Sequence, residues 1–181
     1  MEICGKILPV SITDYQGRKI TVRAYKETDL EGLRDMYDHF DPMGAEAGLP
    51  PPNYQVRRKW IDLMVTSFFN IIALHEDAVV GHAALDTLIK GSCPELLIFV
   101  KKEYRHCGTG TILSDMIKKI AGQVGCDRLW LNVRTGNAIA IKVFKKVGFK
   151  FVGQLDIQRD MELTITCTTT NPNNTPKQGR F

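Results

Sequence analysis

The chain has 181 residues, 44% of them hydrophobic, which is enough for one sizeable core and calls for no second domain. Its 24 Lys and Arg against 20 Asp and Glu give a dispersed net charge of +4, which argues against a nucleic-acid binder and suits small anionic ligands. Five scattered cysteines (Cys4, Cys93, Cys107, Cys126, Cys167), no apolar run near the roughly 20 residues that span a bilayer, and no secretory leader in MEICGKILPV make a reduced, cytoplasmic protein the expectation, with no metal site and no membrane contact.

In chain order, Lys6 to Thr13 and Lys19 to Tyr25 are β-rich runs around the turn-forming Asp14-Tyr15-Gln16-Gly17, so a hairpin is expected to open the fold. Leu30, Leu33, Met36 and Tyr37 recur at helical spacing, predicting a helix from a Thr28 cap to Phe40. The segment DPMGAEAGLPPPN, Asp41 to Asn53, holds four prolines and two glycines; it reads as a long loop, either a lid over a substrate or a surface excursion. Helical periodicity returns from Tyr54 to Phe68.

Three short strands then form a meander: Ile71 to His75, Val79 to Leu88 and Glu95 to Val100, with a turn at Lys90-Gly91-Ser92 between the last two. After them come Arg105-His106-Cys107-Gly108-Thr109-Gly110 and a helix from Thr111 to Val124. A glycine-bearing turn between strand and helix can aim free backbone N–H groups and the positive end of a helix dipole at a phosphate, although such a turn also occurs without any ligand. The remaining elements are a strand Arg128 to Val133, a helix Asn137 to Val147, a strand Phe149 to Val152 and a last strand near Met161 to Ile165. One domain over 1–167 is expected, followed by a disordered tail, 168–181.

The order of these elements resembles the GNAT superfamily of acyl-CoA-dependent N-acyltransferases. RHCGTG matches the family's Q/R-x-x-G-x-G/A loop, and NAIAIKVFKKVGFKFVG matches its N-x-x-A-x-x-x-Y/F-x-x-x-G-F signature. LWLNV fits the fifth strand and ITVRAYKETDLEGL the usual opening, so that the likeness runs from about Ile20 to Gly153. The opening is somewhat similar to the acetyltransferase domain of bacterial protein-lysine acetyltransferases. The resemblance implies an α/β (α+β) fold: a central twisted mixed sheet of about seven strands, splayed between the fourth and fifth and flanked by about four helices. It further implies that the pantetheine of acetyl-CoA, a co-substrate, pairs with main chain around Ile98, Phe99 and Val100. The diphosphate would be held by N–H groups of His106, Cys107, Gly108, Thr109, Gly110 and Thr111, with Arg105, Lys101, Lys102, Lys142, Lys145 and Lys146 near the CoA phosphates or solvated at the surface. Dimers are common among similar proteins, so a homodimer is an open expectation.

Attack by an amine needs a neutral nitrogen, hence a base. Glu95 occupies the place where several lysine acetyltransferases of the superfamily carry a catalytic glutamate, and its apolar neighbours Leu96 and Leu97 favour a raised pKa. The alternatives are a water-facing Glu95 with a water chain as base, and His82 in reserve. Phe144 stands where many relatives have a tyrosine that protonates the leaving thiolate; a phenyl ring packs but gives no proton. Asn137 is expected to cap its helix and to touch CoA. Cys107 in the loop leaves a covalent acyl-cysteine route open. The expected activity is acetyl transfer in a ternary complex to a primary amine, on a protein lysine or a small molecule. The alternative is a CoA-binding regulatory module without turnover.

Overall fold

The computed structural model describes residues 7–44, 49–86 and 93–165. The predicted tail, the Lys90-Gly91-Ser92 turn, Cys4 and Cys167 lie outside these residues. Strands β1 (Val10–Thr13), β2 (Lys19–Ala24), β3 (Phe69–His75), β4 (Ala78–Leu85) and β5 (Leu96–Val100) form an antiparallel sheet in chain order. A second antiparallel sheet has the order β6 (Arg128–Arg134), β8 (Gln158–Thr164), β7 (Lys150–Phe151). The two sheets touch where Glu95 and Trp130 form a parallel bridge and the Trp130 N–H donates to the Pro94 carbonyl at 3.1 Å. Parallel neighbours need a crossover connection, and helix α3 (Thr109–Gln123) supplies it.

Helices α1 (Leu30–Asp38) and α2 (Tyr54–Ser67) cover one face, where Leu33, Met36, Tyr37, Ile61 and Met64 pack on Ile72, Val79 and Phe99. Helices α3 and α4 (Ala138–Val147) cover the other, with Leu113, Ile117 and Val147 against Ile20, Val22, Ile71 and Leu131. Successive strand residues point to opposite faces, so strands covered on both sides read as unbroken apolar runs such as IIAL in β3. Each large side chain buried this way stabilises the fold by about 1.5–3 kcal/mol.

The fold class is the expected one, with two adjustments. The hairpin strand β1 belongs to the first sheet, so the strands that splay are the fifth and sixth of eight. The first helix is preceded by a 3-10 turn, Glu27–Asp29, because the Asp29 carboxylate is taken by Arg23 (2.7 Å to each oxygen) and by the Lys26 N–H at 2.8 Å.

Candidate active site

Beyond the Glu95–Trp130 bridge the facing edges of β5 and β6 separate into a cleft of about 70 Å³, lined by residues 96–99 of β5, residues 131–134 of β6, Asn137, Ala140 and Phe144 from the start of α4, and Leu49. Leu49 belongs to the proline-rich connection between α1 and α2, so that connection reaches the cleft as a lid would. Arg57, only 5% exposed, holds it there by donating to the carbonyls of Pro51 (2.9 Å) and Pro52 (3.0 Å) and to Asp38. Nothing in the sequence pattern singled out Arg57 or Leu49; a buried arginine among carbonyls shows only in three dimensions.

The β5 register decides which main-chain groups the cleft sees. Asp86 N–H donates to Glu95 C=O and Lys101 N–H to Val80 C=O, which puts the N–H and C=O of 95, 97, 99 and 101 on the β4 side. Those of Leu96, Ile98 and Val100 therefore face β6. Leu96 lies level with the bridge, and the Val100 carbonyl takes the Arg105 Nε–H at 2.9 Å, leaving both groups of Ile98 and the Val100 N–H along the open stretch. Phe99 instead lends its ring to the opposite face, stacked edge-on with Tyr37 (5.3 Å) and Trp60 (5.4 Å).

At the mouth of the cleft the chain turns through His106 (φ 59°) and Gly108 (φ 98°) into α3. Helices α2 and α4 are capped by Asn53 and Asn137, whose side chains accept from Val56 N–H and Ala140 N–H. Helix α3 has Gly108 at its N-cap and no capping side chain. The first-turn N–H groups of Thr109, Gly110 and Thr111 have no intrahelical acceptor, so the helix end is left open to an anion. Gly110 sits against Val100 and Val143, closing the cradle toward α4. This fits a diphosphate: open donors at the cleft mouth and a left-handed glycine that keeps the backbone close. The Arg105 guanidinium is turned inward, over the Phe40 ring (5.2 Å) and onto the Val100 and Asp41 carbonyls, and so braces the turn. Lys102 pairs with Asp41 (3.0 Å) and Lys101 lies 3.9 Å from Asp35, while Lys142, Lys145 and Lys146 are exposed on α4.

Glu95 sits at the closed end of the cleft, half-buried, on the face that carries Leu97 and Phe99. Burial, and then the charges of Asp86 and Asp160, push its pKa up. His82 does not reach this cleft. It is fully buried, with Nδ1 2.7 Å from the Tyr37 hydroxyl and Nε2 2.9 Å from Asn70 Oδ1. Asn70 donates both amide hydrogens to the Met64 and Phe68 carbonyls, so its oxygen accepts from His82 Nε2–H, and His82 Nδ1 accepts from Tyr37. Burial takes the His82 pKa down to about 3, and the imidazole is a neutral core residue rather than a reserve base. The Cys107 thiol is buried and donates to the Arg105 carbonyl at 3.1 Å, closed to an incoming acyl group. Phe144 is 8% exposed and packs on Phe149 (5.8 Å) at the cleft wall. Among the described residues no group of three or more His, Cys, Asp or Glu is placed to hold a metal ion, and no helix is long and apolar enough to cross a membrane.

Comparison with known proteins agrees with this geometry. The GNAT domain of S. lividans PAT superposes with a TM-score of 0.74 at 17% identity, over 86% of this chain and 96% of that one. A putative acetyltransferase from Salmonella typhimurium, solved with its cofactor acetyl-CoA, gives 0.65 at 16% identity over 86% and 99%. A probable spermine N(1)-acetyltransferase of Bacillus subtilis subsp. natto is 34% identical over 59 residues, which span 32% of this chain and 39% of that protein. GNAT acetyltransferases use acetyl-CoA. Residues 31–149 match the description "Acetyltransferase (GNAT) family", and the chain therefore belongs to that family.

Proposed function

We propose that the protein transfers the acetyl group of acetyl-CoA to a primary amine by direct attack within a ternary complex. The observation that carries this reading is the cleft itself: a strand edge with unpaired main-chain groups and an uncapped helix N-terminus at its mouth, with Glu95, whose pKa is raised, at the bridge where the two strands close together. Ile98 and Val100 pair with the pantetheine, the N–H groups from His106 to Thr111 hold the diphosphate, and Asn137 and Phe144 flank the arm. Glu95 takes a proton from the acceptor ammonium, and a carboxylate whose pKa is raised accepts it more readily than an ordinary one does. The freed amine attacks the thioester carbonyl, the new C–N bond replaces the C–S bond, and CoA leaves as the thiolate, which takes its proton from solvent. The ordinary lysine pKa of about 10.4 makes this step necessary.

The acceptor is a cationic amine on a flexible chain. Asp86 stands opposite Glu95 across the β4–β5 edge, and Asp160 on β8 adds a third carboxylate whose field reaches Glu95. Negative charge so gathered favours an ammonium and disfavours an amino acid bearing its own carboxylate. A polyamine and a lysine side chain share that chemistry. The spermine acetyltransferase similarity supports the first source, and the likeness to the PAT domain is one of fold.

The deciding experiment measures acceptor-dependent release of free CoA with spermine, spermidine, lysine peptides and free amino acids. Turnover with the cationic chains and little with free amino acids is expected. Acetyl-CoA binding without release for any acceptor would leave a regulatory CoA-binding module instead, a reading that Phe144, with no proton to give, keeps in view.

A further inference from the structure

The turn between β1 and β2 lies outside every motif that pointed to coenzyme A, yet it is fastened to the cradle at several points. The buried Asp14 carboxylate accepts from the N–H groups of Gln16 and Arg18 (2.9 Å each) and from Arg18 Nε (2.8 Å), and Gly17 N–H closes the turn onto the Asp14 carbonyl at 3.0 Å. Arg18 then donates to the Glu103 carbonyl at 3.1 Å and lies 4.0 Å over the Tyr104 ring, whose hydroxyl is 2.9 Å from His75 Nδ1. The turn is thereby rigid and tied to the segment leading into the cradle.

Two contacts made by Tyr15 bear on a ligand. Its N–H donates to the Cys107 carbonyl at 3.2 Å. In a planar trans peptide the C=O of one residue and the N–H of the next point in opposite directions, so holding the Cys107 carbonyl toward the hairpin turns the Gly108 N–H away from it, to the ligand side of the loop. Its ring lies 3.9 Å from where a Cβ on Gly108 would stand, and yet Tyr15 is 77% exposed. A flat aromatic surface thus stands in water at the rim of an anion site, on a turn too well braced to withdraw it.

We propose that this turn belongs to the nucleotide site: Tyr15 fixes the Gly108 N–H toward the diphosphate through its own N–H and lays its ring against the adenosine end of bound CoA. The inference rests on the acetyl-CoA reading above, and concerns only the end of the donor remote from the thioester. Adenine has a π face that any tyrosine can stack on, and a contact of this type gives roughly a 5- to 20-fold gain in affinity. Phosphopantetheine carries the arm and one phosphate but no adenosine, so it separates the two parts of the donor.

The test is calorimetric titration of the full chain with CoA and with 4′-phosphopantetheine, comparing wild type, Tyr15→Ala and Tyr15→Phe. Tyr15→Ala should weaken CoA binding roughly 5- to 20-fold while changing phosphopantetheine binding less than about 2-fold, and Tyr15→Phe should restore CoA binding. Equal weakening of both ligands would overturn the adenosine contact, since it would mean that the substitution had disturbed the cradle itself. Unchanged CoA affinity in Tyr15→Ala would overturn it too. Wild type that binds neither ligand would sink the acetyl-CoA reading, and this inference with it.

Discussion

Replacing His82 by Gln separates the core histidine from the chemistry. The wild-type imidazole titrates at about 3 in the fold, against 6.5 in the unfolded chain. A depressed histidine pKa means that the unfolded state binds the proton first. Its contribution is therefore whole above pH 6.5 and is lost progressively as pH falls toward 3, at about 1.4 kcal/mol per pH unit. Between pH 7.5 and pH 4 the wild type should lose about 3 kcal/mol through this group alone. Glutamine at 82 can still donate to Asn70 but leaves the Tyr37 hydroxyl without its acceptor, costing about 1–3 kcal/mol at every pH. Urea titrations followed by tryptophan fluorescence should show the variant less stable at pH 7.5 and its deficit closing, or reversing, by pH 4. The acid limb of the pH–rate profile should be the same in both, because the proposed reaction assigns it to Glu95. A deficit that stays constant from pH 7.5 to 4 would refute the neutral, buried imidazole, and an acid limb that moves with the substitution would return His82 to the chemistry.

Glu95→Gln should lower kcat by about 100-fold or more with CoA affinity little changed, and a rate equal to wild type would place the base elsewhere. Because the Glu95 pKa is raised in the fold, its stabilising contribution is full below the ordinary carboxylate range and lost as pH rises, so Glu95→Gln should also melt slightly higher at pH 8 and like wild type at pH 4. Gly108→Ala forces a side chain into φ 98° and should cost about 1–3 kcal/mol in a denaturation experiment, together with weaker CoA binding by calorimetry. Asp29→Asn breaks the paired contacts to Arg23 and should cost about 1–2 kcal/mol at pH 7; the Asp29 pKa is lowered, so in wild type the same contribution should fade only below the usual carboxylate range.

The apolar runs and the glycine loop were readable because local chemistry decides them: β5 ends where predicted, Asn137 caps α4, and the hairpin turn sits on Asp14 to Gly17. Helix α3 starts at Thr109 rather than Thr111, since a left-handed Gly108 serves as its N-cap and the TG pair is already helical. Strand β8 begins at Gln158, three residues ahead of the apolar signal, because Gln158, Arg159 and Asp160 are held by pairing with Arg134, Val133 and Asn132. Polar residues carried by a neighbour leave no periodicity to read. The same holds within the cleft: the loop shows in its glycine spacing and Glu95 is singled out only through the family resemblance, whereas Leu49, Arg57 and the alternation that turns Phe99 main chain toward β4 depend on register and on contacts far apart in sequence.

Arg105 joins two walls of the site at once, bracing the cradle through Val100 and gripping the carbonyl of Asp41, the first residue of the connection that carries Leu49. A shared tether of this kind makes the two halves of the reaction mechanically dependent, since a donor that settles the cradle also settles the wall against which the amine must lie. On the proposed reaction, compulsory order is the expected kinetic corollary: thioester enters first and free CoA leaves last. Product inhibition by CoA should then be competitive against acetyl-CoA and noncompetitive against the amine, and Arg105→Ala should blur that pattern toward random addition.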